Sequence, residues 1–95
     1  LEKQYADLFE KLLQEAGIKY EREKKISKTG DDINKADFII EDSIIIEFKA
    51  KSFVTKEDYY QLKRYLEYTD KKLGLLINFR QKYLAPKRVL NSKIN

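Results

Sequence analysis

Apolar residues recur every three or four positions at the start of the chain, which predicts an amphipathic helix. The stripe consists of Leu1, Tyr5, Leu8, Phe9, Leu12, Leu13 and Ala16. Gly17 follows directly, and glycine is common where a helix ends. A second helix is predicted to begin at Thr55, because Thr55 followed three positions later by Asp58 resembles a capping box. Its stripe runs to about Asp70 and contains Tyr59, Leu62, Leu66 and Thr69.

Four other segments have the pattern of strands, over residues 18–27, 35–40, 44–51 and 73–79. The first alternates weakly, which predicts an exposed or edge strand, and a turn cluster follows it at residues 28–32. The second and third are rich in β-branched residues and are joined by the polar Glu41-Asp42-Ser43, which predicts a hairpin. The fourth is continuously apolar, as is typical of a strand buried on both faces. A further short strand is expected near residues 88–90.

The predicted order is α-β-β-β-α-β. It indicates a protein of the α/β (α+β) class built on a small mixed sheet. Because the second helix connects the third and fourth strands, these two are expected to lie parallel, with helices on both faces of the sheet. A chain of 95 residues is enough for one core, so we expect a single domain over residues 1–95. The absence of an initiator Met suggests a fragment of a longer chain.

The composition excludes several kinds of site. The chain contains neither Cys nor His, which rules out zinc fingers, thiol catalysis, disulfides and His-based triads. A metal would have to bind carboxylates, carbonyls and water, which suits Mg²⁺ or Mn²⁺. No segment has the length of a membrane span or the pattern of a signal peptide, so no membrane partner is expected. The lack of Cys is compatible with a cytoplasmic location.

Charge is distributed unevenly along the chain. The net charge is +4, but residues 71–95 contain seven basic residues and no acidic one, whereas residues 1–70 contain thirteen basic and sixteen acidic residues. This asymmetry is compatible with a polyanion bound by the C-terminal part. A solvated basic tail explains it equally well.

Asp37, Glu47 and Lys49 are the residues with the clearest chemical potential. Alternation along a strand places Glu47 and Lys49 on the same face, at the end of an apolar run where charges are costly to hold for stability alone. Two carboxylates can bind Mg²⁺, and the bound metal lowers the pKa of a water that it coordinates. Lys49 is then placed to orient that water or to offset charge on a phosphate. A structural ion pair between Glu47 and Lys49 is the simpler alternative.

The hairpin loop decides whether the two acids share a site. Asp37 and Glu47 are ten positions apart, and paired positions around a two-residue turn are separated by an odd number. A two-residue turn would therefore put the two side chains on opposite faces. A three-residue loop at 41–43, or a bulge, would set Asp37 directly across from Glu47, and we predict one of these.

These motifs resemble the PD-(D/E)xK nuclease superfamily, and most closely its small GxxExxY group, whose restriction-endonuclease-like fold has the same α-β-β-β-α-β order. The similarity extends from Leu1-Glu2-Lys3-Gln4-Tyr5 to Leu73-Gly74-Leu75-Leu76-Ile77-Asn78-Phe79. The glycine of the GxxExxY motif would lie before Leu1. The resemblance implies that Asp37 and Glu47 are metal ligands and that Lys49 is the catalytic lysine, although Ala36 replaces the proline of the motif.

Two further positions match motifs of RecB-like branches. Glu2 resembles an additional acid that joins the metal site, and Gln61 with Tyr65 fits the Q-x-x-x-Y pattern, which implies a catalytic role for Gln61. The simpler alternatives are that Glu2 is an acid favoured by the dipole of the first helix turn and that Gln61 belongs to an ordinary amphipathic helix. For Tyr65, core packing is the preferred interpretation.

The resemblance implies a Mg²⁺- or Mn²⁺-dependent nuclease that hydrolyses DNA phosphodiester bonds, acting as a homodimer or in a larger assembly. Basic residues outside the metal site would contact the phosphates of the nucleic acid. The candidates are Lys63, Arg64, Arg80, Lys82, Lys87 and Arg88. The alternative is a catalytically inactive module that keeps the nuclease fold and binds nucleic acid or a protein partner.

Overall fold

The computed structural model describes residues 1–29 and 32–93 and contains both predicted helices and all the predicted strands. The elements are α1 (Glu2–Glu15), β1 (Tyr20–Thr29), β2 (Asp32–Ile40), β3 (Ile44–Lys49), α2 (Lys56–Thr69), β4 (Leu73–Asn78) and β5 (Lys87–Leu90). The predicted order is therefore confirmed, and the expected short strand near residues 88–90 is β5. No helix in residues 1–29 and 32–93 combines the length and the apolar character needed to cross a membrane.

The five strands form one mixed sheet in the order β1-β2-β3-β4-β5. Neighbouring strands are antiparallel except β3 and β4, which are parallel, as the helical crossover between them requires. The prediction that the first strand lies at an edge is confirmed. Because β3 and β4 run in the same direction, their carboxyl ends meet at one edge of the sheet.

The helices cover opposite faces of the sheet, as the alternation of the strands dictates. On the α1 face, Leu13 packs with the buried residues Phe38, Ile46 and Phe48. On the α2 face, the buried cluster consists of Ala36, Ile39, Ile45, Leu62, Tyr65, Leu66, Leu76 and Val89. Ile45 and Ile46 are consecutive and belong to different clusters, so β3 is covered on both sides. Burial of each Leu, Ile, Val or Phe side chain in these clusters contributes about 1.5–3 kcal/mol.

The ends of the helices agree with the predicted signals. Thr55 and Asp58 form the capping box at the start of α2, each side chain accepting a hydrogen bond from the other residue's backbone N–H. Gly17, just after α1, has a φ of 69°, the left-handed conformation that glycine adopts without strain. Leu8 and Leu12 of the predicted α1 stripe are more than half exposed, and Leu13 is the buried residue of this helix.

Several predicted boundaries differ from those observed. β1 starts at Tyr20 instead of residue 18, and β4 ends at Asn78 instead of residue 79. The third strand was expected to reach Lys51 but ends at Lys49, where the chain turns toward α2. The turn expected at residues 28–32 is shorter, because β1 continues to Thr29 and β2 starts at Asp32. The two residues between these strands, Gly30 and Asp31, lie outside the described residues.

Candidate active site

The loop of the β2–β3 hairpin sets the register that the shared site requires. It contains three residues, 41–43, and the paired residues are Ile40 with Ile44, Ile39 with Ile45, and Phe38 with Ile46. The next pair in this register would be Asp37 with Glu47. The predicted odd-numbered loop is thus confirmed, and it places the two acids across from each other.

At that next position, β2 and β3 are joined by hydrogen bonds between backbone N–H groups and side-chain carboxylates. The backbone N–H of Asp37 donates to Oε1 of Glu47 at 3.1 Å, and the backbone N–H of Phe48 donates to Oδ2 of Asp37 at 2.7 Å. Each acid therefore binds the backbone of the opposite strand instead of pairing through the main chain. This exchange fixes both carboxylates at the point where β2 and β3 stop pairing.

The surrounding backbone is irregular on the β1 side of Asp37. Glu23 of β1 lies between the pairs Arg22 with Phe38 and Lys24 with Ala36, and it has a left-handed φ of 54°. Ala36 packs in the α2-side cluster with Ile39, although strict alternation would place it with Phe38. The regular alternation of β2 is therefore interrupted around Asp37.

Asp37 lines a cleft of about 190 Å³ that opens on the α1 side of the hairpin. The other residues that line it are Glu2, Lys3, Ala6, Arg22, Glu23 and Phe48. Glu2 is exposed and lines the same cleft as Asp37. Among residues 1–29 and 32–93, however, no group of three or more acids is close enough to hold a metal ion, so Asp37 and Glu47 form a pair.

The environment of Glu47 disfavours its charge. Its side chain is 5% exposed, and burial, together with the adjacent Asp37 carboxylate, raises its pKa from 4.5 to about 9. The backbone N–H of Asp37 and the ammonium of Lys49 oppose this rise without cancelling it. Glu47 is thus protonated at neutral pH unless another cation replaces the proton. Once Glu47 gives up its proton, the two converging carboxylates suit a hard divalent cation, which binds oxygen ligands.

Lys49 lies between the acid pair and helix α2. Its Nζ donates to Oε1 of Gln61 at 3.3 Å and lies 3.8 Å from Oδ1 of Asp58. The fold therefore brings Gln61 next to Lys49. Tyr65, one helical turn beyond Gln61, is buried as expected, and burial, Glu47 and Asp37 all raise its pKa.

Asp58 is part of this arrangement, although sequence reasoning assigned it only a capping role. Its Oδ2 accepts from the Nζ of Lys51 at 2.9 Å and from the backbone N–H of Thr55 at 2.8 Å. Burial alone would raise the pKa of Asp58, but the hydrogen bonds from Thr55 and Lys51, together with the charge of Lys49, outweigh it and hold the pKa below its ordinary value. The capping acid therefore also positions two lysines. Two lysines on the preceding segment were the only signal for this in the sequence.

Asn78 is a second residue that sequence reasoning missed. It is buried at the end of β4, where its Nδ2 donates to the carbonyl of Lys51 at 2.8 Å and its Oδ1 accepts from the N–H of Lys51 at 3.1 Å. Oδ1 also accepts from the N–H of Arg80 at 3.3 Å. One side chain thus connects the segments that follow β3 and β4. A polar residue ending an apolar strand is the pattern that indicates such a role.

The six basic residues predicted to contact nucleic acid are distributed over two regions. Lys63 and Arg64 lie in the middle of α2, whereas Arg80 and Lys82 follow β4, and Lys87 and Arg88 begin β5. All are exposed except Lys63, which is half-buried. Arg80 and Lys82 lie closest in sequence to Asn78 and hence to the sheet edge that carries Lys49.

Sequence comparison identifies the family. The sequence model of the PD-(D/E)XK nuclease superfamily matches residues 1–89. The chain therefore belongs to the PD-(D/E)XK nuclease superfamily. The superfamily is one of nucleases, and its nucleases generally use divalent metal ions. No curated protein matches the chain.

A solved structure supports the same fold. The crystal structure of SSO0001 is similar with a TM-score of 0.70 and 22% sequence identity, over 93% of this chain and 48% of the other. This chain thus spans about half the length of SSO0001. The similarity concerns the fold, and the name of SSO0001 states no activity.

Proposed function

We propose that this protein is a metal-dependent nuclease that hydrolyses DNA phosphodiester bonds. The observation that carries the proposal is the exchange of hydrogen bonds in which Asp37 and Glu47 each bind the backbone of the other's strand, with Lys49 two residues after Glu47 at the end of β3. Within the superfamily, the resemblance to the GxxExxY group and the RecB-like helix supports the same activity.

In this proposal Asp37 and Glu47 hold Mg²⁺ or Mn²⁺, and Glu2, which lines the cleft beside Asp37, is the candidate for an additional acid. When bound, the ion supplies positive charge to the phosphate oxygens and lowers the pKa of water in its coordination shell. Hydrolysis joins the water oxygen to phosphorus and breaks one P–O ester bond. Lys49, held by Gln61 and Asp58, places an ammonium beside the acid pair, where it balances charge developing on the phosphate.

The remaining basic residues supply affinity for the substrate rather than chemistry. Arg80, Lys82, Lys87 and Arg88 are exposed and belong to the segment that follows β4, next to the carboxyl end of β3. Lys63 and Arg64 extend the basic surface along α2. A homodimer or a larger assembly would widen the surface that one such domain offers to DNA.

The test is cleavage of labelled DNA in Mg²⁺ or Mn²⁺. Single-stranded, duplex and branched substrates are compared for the wild type and for Asp37→Asn, Glu47→Gln and Lys49→Ala. All three variants are expected to lose cleavage while remaining folded and able to bind DNA. Lys24→Ala is the control for Lys49→Ala, because Lys24 is exposed on β1 and pairs only with the surface acid Glu21 among the described residues.

The competing function is a catalytically inactive module that keeps the fold. It predicts salt-sensitive DNA binding without cleavage of any of the substrates. It also predicts that replacing Glu47 leaves the DNA affinity unchanged. That result, obtained with folded protein in both metals, would overturn the nuclease proposal.

A further inference from the structure

Two exposed aromatic residues lie on the loops at the sheet edge that carries the site. Phe53 belongs to the loop between β3 and α2, and its side chain is 69% exposed. Tyr83 belongs to the loop between β4 and β5, and it is 76% exposed. Large aromatic side chains contribute most to stability when buried, so neither ring stabilises the core in this position.

The two loops leave the sheet side by side. Because β3 and β4 are parallel, both loops start at the same edge, where Lys49 is paired with Asn78. The N–H of Phe79 donates to the carbonyl of Lys49 at 2.9 Å, and Asn78 binds both backbone groups of Lys51. The bases of the loops are therefore held together, and the catalytic candidate Lys49 lies at their junction.

The charge of these loops is of one sign. Residues 50–56 and 79–88 contain no acidic residue and carry six basic ones, namely Lys51, Lys56, Arg80, Lys82, Lys87 and Arg88. Among the described residues, the last four form no ion pair with an acid of this chain, whereas Lys51 is paired with Asp58. The Nζ of Lys82 lies 5.6 Å from the centre of the Tyr83 ring, so a cation and an aromatic face occur together.

We propose that these loops bind single-stranded DNA and that the substrate of the site is a single strand or a single-stranded region. Bases can stack on exposed aromatic rings only when they are not paired within a duplex, while cations beside the rings bind the phosphates. A duplex presents phosphates but no free base faces, so it would use the lysines and arginines and leave Phe53 and Tyr83 without a role. This inference rests on the proposed nuclease function for the identity of the site, but the binding itself requires no cleavage.

The test is fluorescence anisotropy in EDTA, which prevents metal-dependent cleavage. The probes are a labelled single strand of about 20 nucleotides and the same strand annealed to its complement. Wild-type protein is expected to bind the single strand about tenfold more tightly than the duplex. Phe53→Ala and Tyr83→Ala are each expected to weaken single-strand binding about 5- to 100-fold, while Phe53→Tyr and Tyr83→Phe retain it.

Tyr68→Ala is the matched control. Tyr68 is 69% exposed, as Phe53 is, but lies near the opposite end of α2, about 18 Å along the helix from Lys56. This variant is expected to bind the single strand within about twofold of the wild type. Light scattering on each variant shows whether the substitutions change the oligomeric state instead.

Several outcomes would overturn the inference. They are equal or tighter binding of the duplex, unchanged single-strand affinity in Phe53→Ala and Tyr83→Ala, an equal loss in Tyr68→Ala, or altered self-association with unchanged DNA binding. The two proposals fail separately. Glu47-dependent cleavage of a duplex without single-strand binding would refute only the substrate assignment. Aromatic-dependent binding of the single strand without cleavage in Mg²⁺ or Mn²⁺ would refute only the nuclease activity.

Discussion

Replacing Glu47 by Gln separates metal binding from folding. In the absence of metal, Glu47 is protonated at neutral pH because burial raises its pKa to about 9. A glutamine has nearly the same shape and is also neutral. Its carbonyl oxygen can accept the N–H of Asp37, and its amide can donate to the Asp37 carboxylate as the protonated acid does. We therefore predict that Glu47→Gln folds normally but no longer binds a divalent metal ion.

The raised pKa of Glu47 determines how strongly the stability difference between wild type and Glu47→Gln depends on pH. Raising the pKa of Glu47 from 4.5 to about 9 makes ionisation in the folded state unfavourable by up to about 6 kcal/mol, at 1.36 kcal/mol per unit. A group whose pKa is higher in the folded state stabilises the protein fully below the unfolded value. That contribution falls as the pH rises and is lost above the folded value. Between pH 6 and pH 8, metal-free wild type should lose about 3 kcal/mol relative to Glu47→Gln.

Two assays check this prediction. Urea unfolding in EDTA across this pH range gives the free energy of unfolding of wild type and variant, and other titrating groups cancel in the difference. Calorimetric titration of Mn²⁺ gives the metal affinity, which should be lost in Glu47→Gln. Glu21→Gln is the control, since Glu21 is an exposed acid on β1 that pairs with Lys24 at 3.0 Å. It should change neither quantity.

Two results would refute the reasoning. One is a variant with wild-type affinity for Mn²⁺, which would mean that Glu47 is no ligand. The other is a free-energy difference that does not change with pH, which would mean that the carboxyl is charged or hydrated in the folded protein.

Three further predictions concern stability and use urea unfolding. Asp58→Asn should destabilise the protein by about 1–2 kcal/mol at pH 7, because Lys51 loses its carboxylate partner; since the folded pKa of Asp58 lies below 3.8, the difference should vanish as the pH falls through and below that value, and a difference independent of pH would contradict this. Gly74→Ala should cost about 1–3 kcal/mol, because a Cβ there would lie 2.9 Å from the side chain of Leu62; a double-mutant cycle with Leu62→Ala should show coupling, and strict additivity would exclude this contact as the cause. Phe38→Ala should cost about 3–5 kcal/mol, since this ring is fully buried, whereas Leu8→Ala, at an exposed position, should cost less than about 1 kcal/mol; similar losses in both would refute the assignment of the core.

Most of the fold could be predicted from local pattern. The stripe of α1, the capping box at Thr55 and the apolar run of β4 each identify an element without reference to its neighbours. The parallel pairing of β3 and β4 follows from the helix between them. The pattern did not show which part of the α1 stripe is buried, because Leu8 and Leu12 are apolar but only Leu13 faces the sheet fully. Burial depends on what packs against the helix, and the sequence of the helix does not contain that information.

The acid pair shows which properties the sequence determines and which depend on the tertiary structure. The sequence alone identifies the two carboxylates, Asp37 and Glu47, and predicts that a three-residue loop brings them into register. Only the folded chain decides that each acid binds the backbone of the opposite strand, that Glu47 loses its water, and that Asp58 holds Lys49 and Lys51. The physical reason is that hydration and pairing of a charged group depend on atoms from distant parts of the chain. Residue type and spacing determine the chemical groups, and their packing determines their charge.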